Sequence, residues 1–148
     1  MRTLGIDLGT RRIGLALSDQ GGHFAMPLDV IEVTDPEQAI DPIVALVKKE
    51  AVQRVVVGLP LNMEDASVGP AARSCIIWGG RLAMKVMVPI LYVDERLTSF
   101  AAEQTLIQHK RAGQKITRGQ KKDRLDAHAA AIFLQEFLDG KLQPIEIG

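Results

Sequence analysis

Residues 54–60 read Arg-Val-Val-Val-Gly-Leu-Pro, a continuous apolar run, and no other segment constrains the fold of this chain as tightly. A strand with one wet face alternates apolar and polar residues. A run apolar on both sides needs cover on both faces, which is the habit of parallel strands sandwiched between helices. Pro60 ends the run.

The segments around it supply the rest of an α/β domain. Residues 3–8 (TLGIDL) and 13–18 form a hairpin across Gly9-Thr10-Arg11-Arg12. A third strand covers 25–33, and Pro27 within it marks a sheet edge, where a missing N–H is tolerated. Asp35, Pro36 and Gln38 have the spacing of a capped helix start, and Ile40, Ile43, Val44 and Val47 fall on one face of that helix. A second helix is expected over 69–85, although Gly79 and Gly80 each cost it about 1 kcal/mol relative to alanine. A fifth strand follows at 89–93, and a third helix starts at Thr98 or Ser99 and runs to about 109. A basic, glycine-containing loop leads into a last helix over 121–139, ended by Gly140. This order predicts a mixed five-stranded sheet, a three-strand antiparallel meander plus two parallel strands, flanked by helices on both faces. The expected organisation is a single domain over residues 1–148, long enough to bury roughly 70% of the surface of its unfolded chain.

Several classes are disfavoured at once. No apolar run approaches the roughly 18 residues of a membrane span, so no membrane partner is expected. The start, MRTLGIDLG, lacks the pattern of a secretion signal, and the expected location is cytoplasmic. Cys75 is the only cysteine, which excludes an internal disulfide and a thiolate zinc cage and suits a small buried residue.

Three acids close three well-separated segments: Asp7 in GIDLGTRRIG, Glu95 in VDERLTS and Asp126 in KKDRLDAHAAAIFLQ. Asp7 shares a strand face with Gly5, opposite Leu4, Ile6 and Leu8. Alone it reads equally well as an Asp satisfied by turn amides. Asp94 and Glu95 follow an apolar strand, at the end where sites collect in such sheets, and Glu95 is the favoured one. Either could instead pair with Arg96 or cap the next helix. On the last helix Asp126, Ala129, Ala130 and Phe133 form one stripe, whose alanines permit close approach to the sheet. Asp123, one turn earlier, is a candidate further ligand or a favourable charge at a helix start. His128 projects away from Asp126, and neither His23 nor His109 has a partner at metal-ligand spacing. Brought together, the three acids would form an oxygen-only cage for Mg²⁺ or Mn²⁺, two ions of which can drive hydrolysis of a phosphodiester.

Lysine plus arginine balance aspartate plus glutamate at 18 each, but the distribution is uneven. Residues 110–124 hold seven basic side chains against the single acid Asp123. This run, with Lys115, Arg118, Lys121 and Lys122, is a candidate loop for holding a polyanion, although charge runs are commonly solvated surface. Arg11, Arg12, Arg96 and Asn62 are further candidates for phosphate contact, each with an ordinary turn or surface role as the alternative. Trp78, Tyr92 and the phenylalanines show no interleaving on an exposed strand, so a base-stacking platform is not indicated.

Taken together, GIDLGTRRIGLALSD, VVVGLPLN, VDERLTS and DRLDAHAAAIFLQ resemble, in order and spacing, four motifs of the YqgF/RuvX family. These are pre-16S rRNA nucleases with a ribonuclease H-like fold, related to the RuvC Holliday junction resolvases. The resemblance covers nearly the whole chain. It implies Asp7, Glu95 and Asp126 as the acidic catalytic and metal-binding set, Asn62 nearby, and a role in maturing the 5′ end of 16S rRNA on the pre-30S particle. Resolvases of the related type use four acids, and Asp123 is the nearest candidate for the fourth. The chain departs from the family pattern at Cys75-Ile-Ile-Trp-Gly-Gly, where a more polar stretch is usual, and at His128, where an apolar residue is usual. Asp-Leu-Gly-Thr also resembles the first phosphate loop of actin-type and Hsp70-type ATPases, which need a second domain and a second phosphate loop. Two other readings stand beside the rRNA nuclease: a resolvase of four-way DNA junctions, acting as a homodimer rather than a monomer, and a non-catalytic nucleic-acid-binding assembly or transcription factor.

Overall fold

The structure, a computed structural model, describes residues 1–62, 64–95 and 118–146, with 118–126 described in backbone only. Strands β1 (Thr3–Leu8), β2 (Arg12–Ser18), β3 (Ala25–Glu32), β4 (Arg54–Leu59) and β5 (Ile90–Asp94) form one sheet in the order β3-β2-β1-β4-β5. The first three are an antiparallel meander, and β4 runs parallel to both β1 and β5. The helix expected over 98–109 falls outside the described residues, as do Arg96, His109 and Lys115.

Each element follows from local chemistry. The β1–β2 turn closes where the Gly9 amide donates to the Arg12 carbonyl at 3.0 Å, and a side chain on Gly9 would run into that same oxygen. Strand β3 lies at the edge as Pro27 requires. The register there skips Leu28, since Leu15 faces Asp29 and Ala16 faces Pro27, and a one-residue bulge of this kind blunts an edge. Asp35 caps a single 3₁₀ turn, Pro36–Ala39, by accepting from the Glu37 amide at 3.0 Å, while the Gln38 side chain reaches back to the cap. Helix α1 (Ile40–Lys49) continues from it and buries Ile40, Ile43 and Val47.

Helix α2 (Pro70–Ala83) runs straight through Gly79-Gly80. A Cβ on Gly79 would collide with the Tyr92 hydroxyl, so the propensity lost there is offset by close packing of β5 against α2. Trp78 is core, its indole N–H donating to the Pro36 carbonyl at 2.9 Å. Helix α3 (Arg118–Leu138) begins three residues earlier than the pattern predicts. Arg118, Lys121 and Lys122 therefore ride on helical turns rather than on a loop. Gly119 sits in the first turn, where amides have no intrahelical acceptor anyway, and the lysines, arginines and glutamine around it propagate a helix well. Gly140, at φ +78°, ends it.

Two cores lie on opposite faces of the sheet. Leu4, Ile6, Ile13, Leu15, Val55 and Val57 pack beneath α1 and α2 with Ile43, Val47, Trp78 and Leu82. On the other face Ala16, Val56 and Val93 meet Ala130, Ala131, Phe133 and Leu134 of α3. Helix α3 runs antiparallel to β1. The Phe137 ring lies under the Arg54 guanidinium, which is beside Thr3, whereas Ala130 and Leu134 lie over Gly5.

Candidate active site

Period-two alternation along β1 sends Leu4 and Ile6 into the α1/α2 core and turns Gly5 and Asp7 toward α3. Asp7 pairs across the hairpin with Gly14, and the Ile6–Val57 pairing brings Gly58 alongside it in β4. Asp7 thus sits on a floor cleared by glycines. Glu95 arrives from the other side, directly after β5, its amide donating to the Leu59 carbonyl at 3.1 Å. Its side chain folds back over Gly58. A Cβ on Gly58 would stand 2.6 Å from Glu95 Oε2 and 2.9 Å from Phe133 Cε2, so only glycine leaves room for this rotamer.

The two carboxyl groups share a hydrogen bond, and both are half-buried. Burial, then the charge of Asp7, then the hydrogen bond to Asp7 and the charge of Asp94, push Glu95 up to about 9. Burial also raises Asp7, and the bond from Glu95 pulls it partly back. Glu95 therefore carries the proton at neutral pH and donates it to the Asp7 carboxylate. Cys75 is buried, and burial together with the nearby Glu95 and Asp7 holds its thiol up to about 12, protonated and inert.

Asp126 and Asp123 belong to the part of α3 described in backbone only. Asp126 lies one turn before Ala130, whose carbonyl sits over Gly5. A helical turn advances about 6 Å over four residues. Two residues of strand, from Gly5 to Asp7, advance about 7 Å. With α3 antiparallel to β1, both positions move toward the same end of the sheet.

The expected phosphate contacts are more scattered. Arg11 is exposed in the β1–β2 turn and its carbonyl accepts from the Val33 amide at 2.9 Å. Arg12 pairs with Glu32 across β2 and β3 at 3.6 Å. Asn62 builds its own loop, donating from Nδ2 to Ser67 Oγ at 2.8 Å, with backbone bonds to Ser67 and Ala66. His23 stands against Asp19 at 3.8 Å, away from the carboxylates. Gly58 is the site residue that sequence reasoning passes over. Its signal is a lone glycine interrupting the run Val55-Val56-Val57, the usual mark of a close approach.

A pair of oxygen ligands sharing one proton suits a hard divalent cation, which can take the place of that proton and offset the repulsion of two ionised acids. Among the described residues no group of three potential ligands converges, so a third protein ligand would have to come from elsewhere in the chain.

Comparison with known proteins fits this geometry. The model of the RuvX family, described as Holliday junction resolvase, matches residues 1–140. A protein of Caldanaerobacter subterraneus subsp. tengcongensis is 38% identical over 141 residues, covering 95% of this chain and 98% of its own. One from Chloroflexus aggregans is 43% identical over 141 residues, covering 95% of both. Both carry the name "Putative pre-16S rRNA nuclease". Among solved structures, Thermus thermophilus RuvC in complex with a Holliday junction substrate aligns with a TM-score of 0.59 at 17% identity, over 98% of this chain and 100% of that one. The fowlpox virus resolvase bound to Holliday junction DNA aligns with a TM-score of 0.55 at 9% identity, over 93% and 99%. At these identities the solved structures establish the resolvase-type, ribonuclease H-like fold.

Proposed function

This chain belongs to the RuvX family, and from that premise we propose that it is a divalent-metal-dependent nuclease that hydrolyses phosphodiester bonds in the 5′ maturation of pre-16S rRNA. The observation that carries the reading is the hydrogen-bonded Asp7–Glu95 pair, turned toward α3 on a floor of glycines. In this reading Asp7, Glu95 and Asp126 hold the cations, two in number, with Asp123 as the further acid. When bound, Mg²⁺ or Mn²⁺ supplies the charge that activates a water and stabilises the departing oxygen.

The chain's own residues do the rest. Glu95 must give up its proton before it can serve as a ligand, which couples loading of the site to pH. Gly58 and Phe133 hold the Glu95 side chain toward Asp7, and the alanine stripe of α3 brings Asp126 down to the sheet. Arg11 and Arg12 in the β1–β2 turn, Asn62 after β4, Arg96, Lys115 and the helical Arg118, Lys121 and Lys122 carry contacts to the polyanion. These residues offset an acidic centre that alone would repel a phosphate backbone. The proposed setting is a single cytoplasmic domain acting on the pre-30S particle, as monomer or homodimer. Among the described residues no helix is long and apolar enough to cross a membrane.

A second reading, cleavage of four-way DNA junctions, is favoured by the resolvase description of the family and by the likeness to junction-bound resolvases. Such an enzyme nicks two symmetric strands and needs a dimer. Matched substrates decide between them: an RNA spanning the 5′ end of 16S and a synthetic DNA four-way junction, each with Mg²⁺ or Mn²⁺, cut by wild type and Asp7→Asn. Cleavage of the RNA alone, lost in the variant, is the expected result. Symmetric nicking of the junction alone establishes the resolvase. No cleavage of either, or equal cleavage by the variant, leaves a nucleic-acid-binding assembly factor as the better description.

A further inference from the structure

Strand β5 is an edge strand, and Glu95 hangs from its end. The Val55 amide donates to Pro89 O and the Glu95 amide to Leu59 O, so odd-numbered residues of this segment face β4. The even-numbered Tyr92 accordingly turns its backbone outward, away from β4. There the segment that follows α3 comes back across the molecule, and the Ile145 amide donates to the Tyr92 carbonyl at 2.7 Å.

Both ends of that segment are anchored. At its start Lys141 and Leu142 donate backbone N–H groups to Glu136 O at 2.8 and 3.3 Å, and Leu142 packs into the core beneath α3. At its far end Ile145, like Tyr92, packs against Leu59, Leu61, Ala72 and Cys75, a small apolar cluster apart from the two main cores. Tyr92 is held from a second side as well, its ring against Gly79 and its hydroxyl donating to Ile76 O at 3.4 Å. Residues 141–146 therefore join the helix that carries Asp126 to the strand that leads into Glu95, by a span too short and too well anchored to let the two drift apart.

We propose that residues 141–146 are a tether that sets the spacing between α3 and β5, with Ile145 as the positioning residue that keeps Glu95 over Gly58. The proposal rests on the nuclease reading for its consequence in catalysis, but its structural half stands apart from it. Among the described residues β5 has no further strand on its outer side. Without the Ile145–Tyr92 bond its last turn of chain opens by local fraying rather than by global unfolding, and Glu95 leaves Asp7.

The test compares wild type with Ile145→Pro, which deletes the donor, Ile145→Val, which keeps donor and packing, and a two-glycine insertion between Leu142 and Gln143. Three quantities are read on each full-length protein: amide hydrogen exchange in metal-free protein, Mn²⁺ affinity, and kcat and KM on RNA. In Ile145→Pro and in the insertion, exchange at the Glu95 amide rises about 10-fold or more while Ile6 and Val57 in the central strands stay protected. Mn²⁺ binding weakens, and kcat falls about 10-fold or more with KM nearly constant, as expected for a displaced ligand. Ile145→Val behaves as wild type. Equal acceleration at Glu95, Ile6 and Val57 reduces the tether to general stability and overturns the proposal, as does unchanged exchange at Glu95. If wild type neither binds Mn²⁺ nor cuts RNA, the nuclease reading fails while the exchange data still judge the tether. Should Ile145→Pro fail to fold, the insertion variant carries the test.

Discussion

The two faces of the central strands use the same backbone for opposite ends. Beneath α1 and α2 the strands present Leu4, Ile6, Ile13, Leu15, Val55 and Val57, branched residues that fill space. Toward α3 the alternate positions are Gly5, Asp7, Gly14, Ala16, Val56 and Gly58. One face is built from volume and the other from its removal. A carboxylate pair can be held half-buried on the second face because the glycines let Glu95 and α3 come close. The first face supplies much of the cohesion that offsets the cost of burying charge.

That division makes substitutions on the two faces separable. The largest effect on activity belongs to Asp7→Asn: cleavage falls by about 10³-fold or more, roughly 4 kcal/mol of transition-state stabilisation. The thermal midpoint of the metal-free variant should stay level or rise, because the cost of burying the Asp7 charge is removed. Its neighbour Ile6→Ala, one residue away on the other face, should do the reverse, costing about 2–5 kcal/mol of stability with little change in activity per folded molecule. Equal loss of activity in both would erase the distinction between the faces. Next comes Gly58→Ala, whose added methyl displaces Glu95 and Phe133. Cleavage should drop by about 10²-fold, as for a ligand misplaced by ~1 Å, beside a stability loss of about 1–3 kcal/mol from overpacking.

A smaller effect is the pH dependence of stability. Glu95 is raised to about 9 in the folded protein, so between its ordinary value of 4.5 and about 9 the folded state binds more protons than the unfolded one. Metal-free stability is then greatest at the acid end of that window and falls as pH rises through it. Saturating Mg²⁺ should flatten or invert the slope, and Asp7→Asn should shrink it. Denaturant titrations at several pH values with and without Mg²⁺ measure this directly. The smallest effect is a control far from the carboxylates. Ala51 closes α1 at φ +52°, a conformation that favours glycine, so Ala51→Gly should add about 1 kcal/mol of stability and leave cleavage unchanged.

Much of this was legible in the sequence where a local rule acts alone. Pro27 marked the edge strand, Asp35-Pro36 with Gln38 marked a helix start, and the run 54–59 marked a strand covered on both faces. Reading failed where the decisive partner is distant in sequence. Gly79 looks like a flaw in a helix until Tyr92 is seen against it, and Gly58 looks like a weak strand residue until Glu95 occupies its space. The sequence pattern starts α3 too late because Gly119 reads as part of the basic loop rather than as a first-turn residue. The meeting of Ile145 with Tyr92 spans more than 50 residues and leaves no periodic trace.

The most direct test of the paired carboxylates is calorimetric titration of Mn²⁺ into wild type and Asp7→Asn at pH 7, in two buffers of different ionisation enthalpy. Binding in wild type should release about one proton, the one Glu95 holds, and the variant should bind far more weakly. Binding of equal strength in both proteins, or binding without proton release, would contradict the assignment of Asp7 and Glu95 as the core of the site.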